Sequence, residues 1–258
     1  MPEPIDEVPG TDLRVPEGTS TEDVLALLTH GELDIVGRLV DASNVTLLCT
    51  ASLDGLTATV VHKPVAGERP LWDFPEGTLA ERERATYLVS VATGWDLVPP
   101  TVLRDGPWGT GMAQLWMDVD ESVDLVQLVH SPDPRLARMA VLDAVVNNAD
   151  RKGGHVLPLA DGRVMGVDHG VTFNVDDKLR TLLWQWAGSS LPGEALEVLD
   201  GLCGQLGPSL DGPLAADLGE LLTRREVRRF QQRVVALRRE STYPLPSPDW
   251  PAVPWPPF

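Results

Sequence analysis

The chain has 258 residues, 43% of them hydrophobic, which is enough for one large domain or two small lobes with a real core. Its 21 Lys and Arg stand against 38 Asp and Glu, a net charge of −17 that disfavours nucleic acid and anionic membrane as partners and confines any anionic ligand to a local positive patch. Cys49 and Cys203 show no metal-ligand spacing, no apolar run is long enough to span a bilayer, and the acidic start MPEPIDEVPG lacks the parts of a signal peptide; a cytoplasmic protein with buried thiols is expected.

In chain order, residues 1–20 are rich in Pro, Glu, Asp and Gly and read as a disordered tail. Ser20 or Thr21 caps a short helix, TEDVLALLTHG, that Gly31 ends. Strand-like runs follow at 33–40, 45–52 and 56–64, with Asp54-Gly55 as turn chemistry for an antiparallel meander. A helix over TLAERERATYLVSVATG is expected, with Thr78 as N-cap and Glu81 completing a capping box. Strands at 97–105 and 111–119 close the first half; the intervening GPWGTG is a hairpin turn, since no helix and no Lys-Ser/Thr follows it.

The second half reads as helices over SVDLVQLVH and PRLARMAVLDAVVNN, then a loop and a hairpin built from HVLPL and RVMGVDHG. Helices are expected over LRTLLWQWAG, EALEVLDGLCGQL and the long DLGELLTRREVRRFQQRVVALRRE, whose arginines form a solvated face. The proline-rich end should be extended, with Trp184 or Trp186 packing on a neighbouring element such as that tail. The expected division is a tail at 1–20, a first lobe at 21–118, a second at 119–242 and a Pro-rich tail at 243–258.

Phosphoryl transfer from ATP needs a cation for the α- and β-phosphates, an acid to hold that cation, a carboxylate for the acceptor hydroxyl, and ligands for a divalent metal. Lys63 ends the third strand, and Glu83 lies on the helix that follows. Asp150 opens the loop DRKGGH, His155 lies five residues on, and Asp168 ends the hairpin ahead of His169 and Gly170. Taken singly, Lys63 is an ordinary strand-end lysine, Glu83 a solvated helix acid with Glu81 as its rival, and Asp150 and Asp168 turn acids. Together they are the parts list of a two-lobed kinase.

Asp150-Arg151-Lys152-Gly153-Gly154-His155 resembles the D-R-H-x-x-N catalytic loop of the phosphatidylinositol 3/4-kinase superfamily, and Asp168-His169-Gly170 resembles its D-F-G. The fuller pattern, from GELDIVGRLVDASNVTLLC through VHKP, LVPPTVLRDGP and NNADRKGGH to VDHG, is similar to an actinobacterial PI3/4-kinase-like family and covers roughly residues 24 to 205. The resemblance implies an α+β, two-lobed, protein-kinase-like fold with an antiparallel sheet and one helix in the first lobe and a mainly helical second lobe. It implies Asp150 as catalytic aspartate, Asp168 as metal-binding acid, and Lys63 with Glu83 as the ATP lysine and its partner. It further implies Gln114, Leu115, Trp116 and Met117 as the adenine-facing hinge and Asp41 to Asn44, with Ser43 and Asn44, as the phosphate-covering turn. ATP with Mg²⁺ or Mn²⁺ is the expected cofactor, and a protein Ser/Thr, the enzyme itself or a small alcohol the acceptor.

The sequence departs from the family at informative places. His155 stands where the family has its metal-binding asparagine, Lys152 replaces the loop histidine, His169 replaces Phe, and the 41–44 turn has no glycine. An imidazole ligand at 155 favours Mn²⁺ over the oxygen-seeking Mg²⁺. These changes keep a nucleotide-binding pseudokinase open as the alternative. A metal-dependent hydrolase using His155, Asp168 and His169 is a third class, disfavoured because neighbours on a strand point apart. Arg151 is expected to brace the loop through a carboxylate.

Overall fold

The computed structural model describes residues 4–5, 13–39 and 44–258. Its elements run β1 (Pro4–Ile5), α1 (Thr21–His30), β2 (Glu32–Leu39), β3 (Leu47–Leu53), β4 (Leu56–Pro64), α2 (Leu79–Thr93), β5 (Thr101–Gly106) and β6 (Gly109–Leu115). They continue with α3 (Leu125–Val129), α4 (Pro134–Val146), β7 (Val156–Pro158), β8 (Val164–Gly166), α5 (Gly193–Leu206), α6 (Pro213–Gly219) and α7 (Arg224–Glu240). The fold is α+β, as expected. The chain divides into two compact units, residues 1–84 with 99–117 and residues 85–98 with 118–258, and the cut falls within α2.

The first unit is built on a six-stranded sheet in the order β1-β2-β3-β4-β6-β5. β2, β3 and β4 form the expected antiparallel meander. Asp54 and Gly55 turn the β3–β4 hairpin with φ of 48° and 84°, the left-handed pair that a two-residue turn between right-twisted strands demands. GPWGTG closes the β5–β6 hairpin. Ser20 accepts from the Asp23 amide at 3.0 Å and caps α1, whose Val24, Leu27 and Leu28 pack on Ala51, Ala58, Val60, Val102 and Ala113 of the sheet.

Two expectations change here. Residues expected to be disordered through position 20 are engaged where they are described: the Leu13 carbonyl accepts from Thr59, and Val15 packs against the core. The start of α2 is capped by Glu68, whose carboxylate accepts from the Leu79 and Ala80 amides at 3.2 and 3.0 Å. Thr78 donates instead to the Pro75 carbonyl. A carboxylate brought from outside the helix accepts two first-turn amides and takes the place of the local Thr78–Glu81 box.

In the second unit, Asp133 caps α4, Pro134 occupies its first turn, and Asn147 ends it in the left-handed conformation. Phe173 meets Phe230 of α7 edge to face at 5.5 Å within the core. LRTLLWQWAG is not helical, contrary to the sequence pattern. Its backbone groups are taken from outside: the Leu182 amide donates to Arg151 and the Thr181 amide to Ala252, so tertiary partners displace the helical ladder. The indole of Trp184 donates to the Ala252 carbonyl at 2.9 Å, while Trp186 packs on Tyr243. The expected long helix at 217–240 is broken into α6 and α7, because Thr223 and Glu226 form a capping box that restarts the helix. Among the described residues both cysteines are free, and no helix is long and apolar enough to cross a membrane.

Candidate phosphotransfer site

In the first unit, alternation along β4 turns His62 into the core and Lys63 to the opposite face. The Lys63 ammonium lies 2.8 Å from Glu83 Oε1, and Glu83 is only 2% exposed. Glu81 is therefore not the partner. The Glu81–Arg84 stretch is not a solvated face either. Arg82 is buried with its guanidinium over the Phe74 ring at 5.0 Å, and Arg84 donates to the Thr101 carbonyl. Burying Glu83 is costly unless a cation meets it, and Lys63 supplies that cation from the strand end.

The hinge stretch is partly committed to the sheet. The Gln114 side chain is buried and donates to Thr101 Oγ1 at 2.7 Å. The Leu115 amide donates to Pro100 and the Trp116 amide to Thr59, each at 3.0 Å. Met117 closes the first unit's run. Asn44 accepts the Arg69 amide at 2.8 Å. Ser43 and the rest of the 40–43 turn lie outside the described residues.

In the second unit the chain leaves α4 through Asn147 and Asn148. The Asn148 side chain accepts the Asp150 amide at 3.0 Å and donates to Asp143 at 2.9 Å. Arg151 is fully buried and carries the loop. Its guanidinium meets Asp143 Oδ1 at 2.9 Å, donates to the carbonyls of His155 and Val167, and lies 2.6 Å from His169 Nε2. One cation thus ties α4, the loop and both ends of the β7–β8 hairpin. Gly166 is required here, since a side chain would crowd the guanidinium. An arginine only donates, so His169 Nε2 is the acceptor in this contact.

Around this brace the remaining groups face outward. Lys152 Nζ lies 3.2 Å from Asp150 Oδ2, and Arg180 approaches Asp150 Oδ1 at 3.6 Å. His155 Nε2 lies 3.3 Å from Asp168 Oδ2, with Asp168 half exposed and in the left-handed conformation at φ 61°. Burial lowers the His155 pKa from its ordinary value despite the attraction of Asp168, so the ring is neutral at pH 7. Its Nδ1 faces the Lys152 amide at 3.5 Å, which leaves the proton on Nε2, directed at Asp168.

Asp150, His155 and Asp168 are thus gathered on one loop and hairpin, and Lys63 and Glu83 are paired. Sequence reasoning missed Asp143 and Arg180. The signal for Asp143 was present: an acid on the apolar face of α4 requires a buried cation. Among the described residues no group of three or more His, Cys, Asp or Glu side chains converges as a metal cage. His169 has its Nε2 engaged by Arg151. A groove of about 530 Å³ lined by Arg225, Arg228 and Arg229, and one of about 300 Å³ lined by Leu71 and Phe74, contain none of these site residues.

The fold and these side chains define a two-unit α+β protein with an ion-paired lysine in one unit and a braced acidic loop in the other. No protein-family model matches the chain. It belongs to the family of Protein Rv2133c of Mycobacterium tuberculosis (strain ATCC 25618 / H37Rv), to which it is 42% identical over 275 aligned positions, covering 93% of this chain and 97% of that one. It is also distantly similar to the crystal structure of a Helicobacter pylori proinflammatory kinase, CtkA, with a TM-score of 0.48 and 11% identity over 84% of this chain and 94% of that chain.

Proposed function

We propose that the protein is an ATP-dependent phosphotransferase of the PI3/4-kinase-like type that acts in the cytoplasm on a hydroxyl acceptor, with neither nucleic acid nor membrane insertion involved. The Lys63–Glu83 pair carries this reading: the fold gains little from burying a glutamate to hold a strand-end lysine, whereas a nucleotide needs a fixed ammonium. The resemblance of the DRKGGH loop and the DHG end to PI3/4-kinase motifs supports it independently.

In this reading Lys63, held by Glu83, meets the α- and β-phosphates. With the Leu115 and Trp116 amides engaged, the adenine-facing backbone falls to Met117. Asp150 orients the acceptor hydroxyl and takes its proton. Lys152, now on Asp150, moves toward the transferred phosphoryl group as the acceptor arrives. Asp168 and His155 would hold a divalent ion that accompanies the nucleotide. That ion, when bound, neutralises phosphate charge. His155 joins it only by shifting its proton to Nδ1, and otherwise orients Asp168.

ATP turnover by the purified protein with Mn²⁺ and with Mg²⁺ tests this. The expected result is turnover that falls by about 10²–10⁴ in Asp150→Ala. Nucleotide binding that is not tighter with Mn²⁺ than with Mg²⁺ would remove His155 from the ligand set. The pseudokinase reading rests on Asp150 being flanked by Lys152 and Arg180, which offsets its charge. Nucleotide binding without turnover in either metal would establish it.

A further inference from the structure

Residues 250–258 lie along the loop that carries Asp150. The Gly153 amide donates to the Pro257 carbonyl at 2.8 Å. The Phe258 ring occupies the space that a side chain at Gly153 would need. Phe258 also stacks on His130 at 6.5 Å. Further back, the Ala252 carbonyl accepts both the Thr181 amide at 3.0 Å and the Trp184 indole at 2.9 Å. The Trp250 ring faces the Lys178 ammonium at 4.4 Å and the Arg180 guanidinium at 5.9 Å.

Arg180 links this segment to the chemistry. Its backbone is bonded to the loop on both sides: its amide donates to Asn148 at 2.9 Å, and its carbonyl accepts from Arg151 at 3.0 Å. Its Nε donates to the Ala149 carbonyl at 2.7 Å, and its terminal nitrogen faces Asp150. The Asp150 loop therefore lies against residues 178–184, these lie against 250–258, and Pro257 and Phe258 return to Gly153. Pro251, Pro254, Pro256 and Pro257 fix much of the segment's backbone in advance, so docking costs little chain entropy.

We propose that residues 250–258 are a strap that sets the Asp150 loop for phosphoryl transfer, with Arg180 as the positioning residue for Asp150 and Trp250 holding Arg180. The strap rests on the phosphotransferase reading for its purpose but not for its existence, so the test has two arms.

Hydrogen exchange of the full chain is compared among wild type, Trp250→Ala, Phe258→Ala and the conservative Trp250→Phe. The expected result is at least about tenfold faster exchange at Gly153 and at 180–182 in the two alanine variants, with β3 and β4 unchanged and Trp250→Phe close to wild type. Unchanged exchange in the loop, or faster exchange spread evenly through the molecule, overturns the strap. Phe258→Ala changes a partly exposed side chain, so it serves where Trp250→Ala fails to fold.

The second arm measures phosphoryl transfer. The expected result is a kcat lowered about tenfold or more with KM for ATP unchanged, the pattern of a misplaced catalytic group. Unchanged or raised turnover in a variant whose loop has loosened overturns the positioning role. A wild type that exchanges as expected but never turns over sinks the phosphotransferase reading and leaves the strap standing on the first arm.

Discussion

Asp150 and Arg151 are neighbours in the chain and opposites in role. Arg151 is fully buried against an equally buried Asp143 and its guanidinium reaches four residues of the second unit. Asp150 is 24% exposed, and the cations facing it, Lys152 and Arg180, are themselves partly open to solvent. One residue step turns the side chain from a buried brace to a partly exposed acid. Charge alone does not tell the two neighbours apart. Burial separates the pair that holds the loop still from the pair that can exchange partners.

The contrast breaks most visibly at the brace. Asp143→Ala or Arg151→Ala leaves a buried charge unpaired and should cost about 3–5 kcal/mol, measured by denaturant unfolding. Asp150→Ala should shift the same transition by less than about 1 kcal/mol while lowering turnover by about 10²–10⁴. If both positions destabilise equally, the division between brace and working group is wrong.

Lys63→Ala exposes the same logic in the first unit. It removes the ammonium that faces buried Glu83 and should cost about 1–3 kcal/mol by denaturant unfolding. Lys63→Ala combined with Glu83→Gln should recover part of that loss without restoring nucleotide binding by calorimetry. Recovery of both would assign the pair to structure alone.

Acid sharpens the comparison at a smaller scale. Burial lowers the pKa of His62, whose ring sits in the core against the Met112 carbonyl, and burial likewise lowers that of His155. The unfolded chain takes up these protons near the ordinary value of 6.5, and the folded protein does so only at lower pH. Between the two the unfolded state binds more protons, so stability falls as pH drops below about 6.5, by at most about 1.4 kcal/mol per histidine per pH unit. His62→Gln should flatten that slope in pH-dependent thermal melts. An equal slope in the variant would show that His62 does not resist protonation. Smallest of all, Lys152→Ala should alter stability by no more than about 1 kcal/mol, since its pair with Asp150 is partly solvated.

Much of the architecture was legible in the sequence because its signals are local. Alternation and the Asp54-Gly55 turn announced the β3–β4 hairpin, Ser20 the start of α1, and Pro134 with Asn147 the two ends of α4. Asp150, His155 and Asp168 stood out through the resemblance of their loop and hairpin end to kinase motifs, and Arg151 was expected to brace the loop through a carboxylate, which it does. The failures share one cause, a partner distant in sequence. Glu68 caps a helix eleven residues away, outside the reach of any capping-box pattern. LRTLLWQWAG carries a helical pattern, yet its amides are claimed by Arg151 and Ala252.

The sequence by itself determined the α+β class, the meander, and which residue types stand at the loop and hairpin, because side-chain alternation, turn chemistry and capping act over a few residues. Tertiary structure alone decided that Glu83 rather than Glu81 meets Lys63, that Asp143 is the counter-charge of Arg151, and that a proline-rich segment lies against Gly153. Those choices depend on which groups lose water together when the chain closes, and the cost of an unpaired buried charge is felt only once its neighbours have arrived.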